Sequence, residues 1–126
     1  IYLASVDFPG FPAVTLAQEE RPAFAGLSGR ALLSARALVW ARKEAVLKAT
    51  GHGLILDPTR IVVSGAAEPA RLVRWAATDP EGPELALADL PLTDLDHAAA
   101  VALLGPGPIT VTWRQGPGRT GAAPPR

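Results

Sequence analysis

The sequence predicts an α+β fold, a small antiparallel sheet packed on two or three helices. Three observations carry this expectation. Residues 31–50 form one long run of good helix formers, chiefly Ala, Leu, Arg, Lys and Glu. Several short β-branched or alternating runs follow it, each bounded by Gly or Pro. Hydrophobic residues make up 48% of 126 residues, enough for one domain with a core and too many for disorder throughout.

Composition excludes several function classes. Lys+Arg and Asp+Glu number 12 each, so the formal net charge is zero and no electrostatic footprint for bulk nucleic-acid binding is present. There is no Cys, which rules out disulfides, thiol catalysis and zinc–thiolate sites. Two distant His residues make a His-based metal cage improbable. No apolar run approaches a membrane span and no signal peptide is evident, so a cytoplasmic protein without a membrane partner is the expectation.

Taken in order, Ile1–Phe8 reads as a short strand ending in the breaker Pro9-Gly10-Phe11-Pro12. Asp7 sits at its end, either capping the turn or facing a cleft. Thr15–Leu27 reads as a helix. Thr15 and Gln18 suit a capping box, Glu19 and Glu20 complement the dipole from the first turn, and Pro22 divides the segment. Both glutamates read as solvated.

The main helix is expected over Ala31–Thr50, with Leu32, Ala35, Val39, Val46 and Ala49 as its buried stripe. Arg42 is expected to snorkel at the edge of that stripe. Gly51 and Gly53 supply the stop, and His52 between them reads as a loop residue.

Strands are expected at Ile61–Ser64, Ala70–Trp75, Glu84–Leu92 and Ile109–Trp113. By residue type His97–Leu104 suits helix or strand. Residues 1–113 are expected to form the domain and 114–126 a flexible Gly/Pro-rich tail.

Within the main helix Trp40, Glu44 and Lys48 fall four residues apart and share one stripe. A carboxylate suits a hard cation such as Mg²⁺, and an ammonium suits phosphate. The plain alternative is a helix-surface Glu44–Lys48 ion pair worth about 0.2–0.5 kcal/mol.

The string Trp40-Ala41-Arg42-Lys43-Glu44-Ala45-Val46-Leu47-Lys48 resembles the W-x-x-K-E-A-x-x-K signature of Sfp-type phosphopantetheinyl transferases. The continuation Ala49-Thr50-Gly51-His52-Gly53-Leu54 and the Asp57-Pro58 step resemble the same family. The likeness covers roughly Leu3 to Leu104 and is to the second half of the family's pseudo-dimer. It implies that His97–Leu104 is a central strand.

It also implies Mg²⁺-dependent transfer of the 4′-phosphopantetheine group from coenzyme A to a serine of an acyl or peptidyl carrier protein. Such a reaction serves fatty acid, polyketide or nonribosomal peptide biosynthesis. By the same resemblance Asp7 and Glu44 are metal ligands, Glu44 and Lys48 catalytic residues, and Lys48 with Lys43 the groups that hold coenzyme A. The family's metal strand reads G-x-D-x-E. Here Ser5 and Pro9 stand where it has Gly and Glu.

The segment typical of the family's first half is not found in this sequence. The resemblance therefore implies either a homo-oligomer or a missing N-terminal half. The alternative reading is a half-domain that binds coenzyme A or a carrier protein without turnover.

Overall fold

A computed structural model describes residues 1–51, 56–75 and 82–112. Among the described residues the architecture is α+β, with one short α-helix, a long central helix, three 3₁₀ turns and two two-stranded antiparallel sheets. Helix α1 spans Phe11–Thr15 and helix α2 spans Gly29–Ala49. Strands β1 (Val62–Val63) and β2 (Leu72–Arg74) form one sheet, and β3 (Leu85–Asp89) and β4 (Ala100–Leu104) the other. The expected sheet is thus divided in two.

Helix α2 is the axis of the molecule. Ala35, Ala37, Val39, Ala41, Val46 and Leu47 are buried, more than one stripe can supply. Structure therefore packs on several sides of it: the N-terminal segment, β3 and β4, and β1. The helix ends where expected, at Ala49 with Thr50 as its cap and Gly51 next, whose φ of 75° lies in the left-handed region that glycine enters without a Cβ clash.

Several expected elements differ. Ile1–Phe8 is not a strand. Tyr2 makes a single antiparallel bridge to His97, and Leu3–Val6 then forms a 3₁₀ turn. Leu3 and Val6 are both buried and lie three residues apart, so a 3₁₀ turn puts both on the core where a strand would oppose them.

Pro9-Gly10-Phe11-Pro12 does not end regular structure but starts α1, because a proline in the first turn forfeits no helical hydrogen bond. The helix expected over Thr15–Leu27 breaks at Leu16–Ala17 and continues as a 3₁₀ helix over Gln18–Phe24. Thr15 is the buried end of α1, not a cap. The Glu20 carboxylate accepts the Ala17 N–H instead, at 2.8 Å.

Ile109–Thr112 is not a strand. His52, Trp113 and the 114–126 tail lie outside the described residues. The strand alternative for His97–Leu104 is correct from Ala100 onward. There β4 runs antiparallel to β3, from Asp89↔Ala100 to Leu85↔Leu104. Ala98, Ala100 and Ala102 are half-buried against the core, and their small side chains let the strand lie close to α2.

Candidate functional site

A pocket of about 170 Å³ opens between α2 and the start of β4. The helix contributes Ala41, Glu44, Ala45 and Lys48, and the facing wall is Ile1 and Ala98–Ala100. Spacing explains the helix side: residues 41, 44, 45 and 48 recur at helical intervals of three and four. The wall is held by hydrogen bonds between Ile1 and Ala98. The Ala98 N–H donates to the Ile1 carbonyl at 2.8 Å, and the Ile1 ammonium to the Ala98 carbonyl at 2.6 Å.

Glu44 is half-buried and Lys48 exposed. Among the described residues neither forms an ion pair or hydrogen bond with the other or with any other side chain. This removes the plain reading of a helix-surface pair. The structure brings a free carboxylate and a free ammonium to one pocket whose other lining side chains are aliphatic. Trp40, one turn earlier, packs half-buried against the core. An anion entering this pocket would meet Lys48, and a hydroxyl or cation would meet Glu44.

Asp7 does not line this pocket. It is exposed and closes the 3₁₀ turn, its N–H donating to the Ala4 carbonyl at 3.3 Å. Its neighbours are tied to the N-terminal half of the helix. The Arg36 guanidinium donates to the Val6 and Phe8 carbonyls at 3.1 and 3.2 Å and lies over the Phe11 ring. Arg36 precedes Glu44 by eight residues, about 12 Å of helix rise.

Asp7 is thus exposed on the turn beside Arg36 and is not among the residues that line the pocket with Glu44. Among the described residues no group of three or more His, Asp or Glu side chains is arranged to hold a metal ion. Mg²⁺ commonly takes only one or two carboxylates together with waters and substrate phosphates, and Glu44 is the carboxylate in this pocket that could serve as one.

Lys43 does not flank the pocket, and its expected place beside coenzyme A is corrected. Its side chain is fully buried on the opposite side of α2. The ammonium pairs with Glu20 and donates to the Thr15 and Pro58 carbonyls, both at 2.8 Å. Burial pushes the Lys43 pKa down, and the Glu20 charge opposes that shift.

Glu20, expected to be solvated, is 5% exposed. Its carboxylate accepts the Ala17 and Val63 N–H groups as well as the Lys43 ammonium, so both buried oxygens are partnered. Glu19 is the solvated one, and its bidentate bonds to Arg74 hold its pKa below the usual value.

Arg42 is 1% exposed and does not snorkel. It grips Asp89 with two bonds of 2.8 and 2.7 Å and donates to the Ser64, Gly65 and Glu68 carbonyls. Residue spacing alone gave no sign of this network. The partners lie 22–47 residues away, and only the fold makes Arg42 central.

A family model, described as the 4′-phosphopantetheinyl transferase superfamily, matches residues 4–102. The chain belongs to this superfamily. The match includes Asp7, the whole of α2, and β4 as far as Ala102, and so most of the pocket. No curated protein and no solved structure matches the chain. Members of the 4′-phosphopantetheinyl transferase superfamily take coenzyme A as substrate, generally with Mg²⁺, and act on carrier proteins. Among the described residues no helix is long and apolar enough to cross a membrane.

Proposed function

We propose that this chain is the catalytic half-domain of an Sfp-type transferase. It moves the 4′-phosphopantetheine group of coenzyme A to a serine of an acyl or peptidyl carrier protein. One observation carries the reading. Glu44 and Lys48 of the signature, both without a protein partner among the described residues, line one pocket in a chain matched by the superfamily model.

The reaction is a displacement at phosphorus. The serine oxygen bonds to the phosphorus that carries pantetheine, and the bond to the bridging oxygen breaks. Adenosine 3′,5′-bisphosphate leaves. The serine proton must go to a base, and charge gathers on the phosphate oxygens.

Glu44 is the group placed to take that proton, since it is half-buried and has no competing donor. Lys48 supplies a positive charge for a phosphate oxygen. The alanine walls exclude bulky groups and some water while leaving room for a slender chain. When bound, Mg²⁺ would neutralise pyrophosphate charge; Glu44 is the pocket's own carboxylate toward it.

The test is calorimetric binding of coenzyme A in magnesium buffer, followed by detection of released adenosine 3′,5′-bisphosphate when apo carrier protein is added. Lys48→Gln should weaken binding, and Glu44→Gln should stop release while the fold is retained.

A second reading is favoured by Pro9 in place of a carboxylate and by Asp7 lying outside the Glu44–Lys48 pocket. In it the half-domain binds coenzyme A or a carrier protein without turnover. Coenzyme A binding with no release of bisphosphate, even with excess carrier protein, selects it.

A further inference from the structure

We infer that Arg42 and Asp89 form a positioning pair that sets the width of the Glu44–Lys48 pocket. Neither residue lines the pocket. Their role is in the wall facing the helix. The proposal rests on the transferase reading for its functional consequence.

Arg42 belongs to α2 and is adjacent to Ala41, which lines the pocket from the same helix. Its guanidinium cannot drift. It is 1% exposed, and its Nη1 and Nη2 groups donate to the Ser64, Gly65 and Glu68 carbonyls, each at 2.9 Å. Those three carbonyls all lie on the connection between β1 and β2. The remaining donors form a two-pronged grip on Asp89, from Nε to Oδ1 and from Nη2 to Oδ2. A planar fork on a carboxylate fixes both distance and orientation, which a single charge contact does not.

Asp89 is the last residue of β3 and is directly opposite Ala100, the first of β4. The next residue, Leu90, donates its N–H to the Ala99 carbonyl at 2.9 Å. Ala99 and Ala100 are the pocket wall. A continuous path of short polar contacts thus runs from the helix, through Arg42 and Asp89, to the backbone of the facing strand. Another polar tie from α2 toward this strand is Arg30, near the start of the helix, to Leu95 and Asp96; beside the pocket itself the helix otherwise meets the wall through alanine packing.

Glu44 can take the serine proton while Lys48 meets the phosphate only if the wall holds the substrate within reach of both. A misplacement of about 1 Å at such a site costs on the order of a hundredfold in rate. Arg42 and Asp89 are positioning residues in this sense, acting through the strand and not on the substrate.

A double-mutant cycle tests the proposal. Asp89→Asn keeps the shape of the side chain but turns an NH₂ toward one guanidinium donor, releasing the wall. Ala45→Val adds bulk inside the pocket. The four proteins are the unaltered chain, each single variant and the double variant. Each is measured for melting temperature and for coenzyme A affinity in magnesium buffer.

With the wall fixed, Ala45→Val should weaken coenzyme A binding about tenfold. With the wall released by Asp89→Asn, the same substitution should cost less than about threefold, and the melting temperatures should be coupled in the same direction. A pair that merely stabilises the fold gives additive effects in both measurements, and that result overturns the proposal. If the unaltered chain binds no coenzyme A, the transferase reading fails. Coupled melting temperatures in that case still support the spacing, and additive ones still refute it.

Discussion

Replacing Lys43 by Met removes the ammonium from a site that water does not reach. Glu20 then stays buried with its charge, holding the Ala17 and Val63 N–H groups but no cation. The Thr15 and Pro58 carbonyls lose their donor as well. Breaking a buried ion pair by removing one partner costs about 3–5 kcal/mol. For a domain of this size that is a drop in melting temperature on the order of 10–20 °C.

The sign of the second step is equally definite. Adding Glu20→Gln removes the stranded charge and should restore part of the loss. Recovery is incomplete because one amide oxygen cannot serve both N–H groups. Thermal and urea melts followed by circular dichroism give both values. A Lys43→Met variant within about 1 kcal/mol of the unaltered chain would refute the reasoning, since that small effect belongs to a surface lysine free to meet phosphate.

Glu44→Gln and Lys48→Gln should each leave the melting temperature nearly unchanged, within about 0.5 kcal/mol, because neither side chain bonds to the described protein; transfer should fall at least a hundredfold, read by bisphosphate release. Arg42→Lys keeps the charge but not the fork, leaving some of Asp89, Ser64, Gly65 and Glu68 without a donor; urea titration should show a loss of about 2–4 kcal/mol. Acid should destabilise the fold through Asp57, whose pKa is lowered by its bonds to the Thr59 N–H and hydroxyl. A lowered folded-state pKa means the unfolded chain binds more protons, so this contribution is complete above about pH 4 and is lost as pH falls through the folded value. Melting temperatures between pH 2 and 6 should fall less steeply with acid for Asp57→Asn.

Local chemistry carried what the sequence made legible. The long helix, its left-handed stop at Gly51, the strand segments near 61–64, 70–75 and 84–92 and the shared stripe of Glu44 and Lys48 all follow from propensity, turn residues and helical spacing, whereas the division into two sheets does not. What spacing could not give was which charges are buried. Arg42, Lys43 and Glu44 are consecutive and equally polar, yet they divide between the interior and the pocket. That division depends on Glu20, Thr15, Pro58, Ser64 and Asp89 arriving from distant segments. Likewise Leu3 and Val6 suit a strand by type, and only their common burial against α2 selects a 3₁₀ turn. Asp7 followed from the family pattern alone, and the turn that carries it faces Arg36.

The most direct measurement is the mass of an apo carrier protein after incubation with this chain, coenzyme A and Mg²⁺. The account predicts a gain equal to one phosphopantetheine group on a serine, lost with Glu44→Gln and with Lys48→Gln. An unchanged mass with the folded chain in excess, while coenzyme A is bound, would contradict transfer and leave only the binding half-domain.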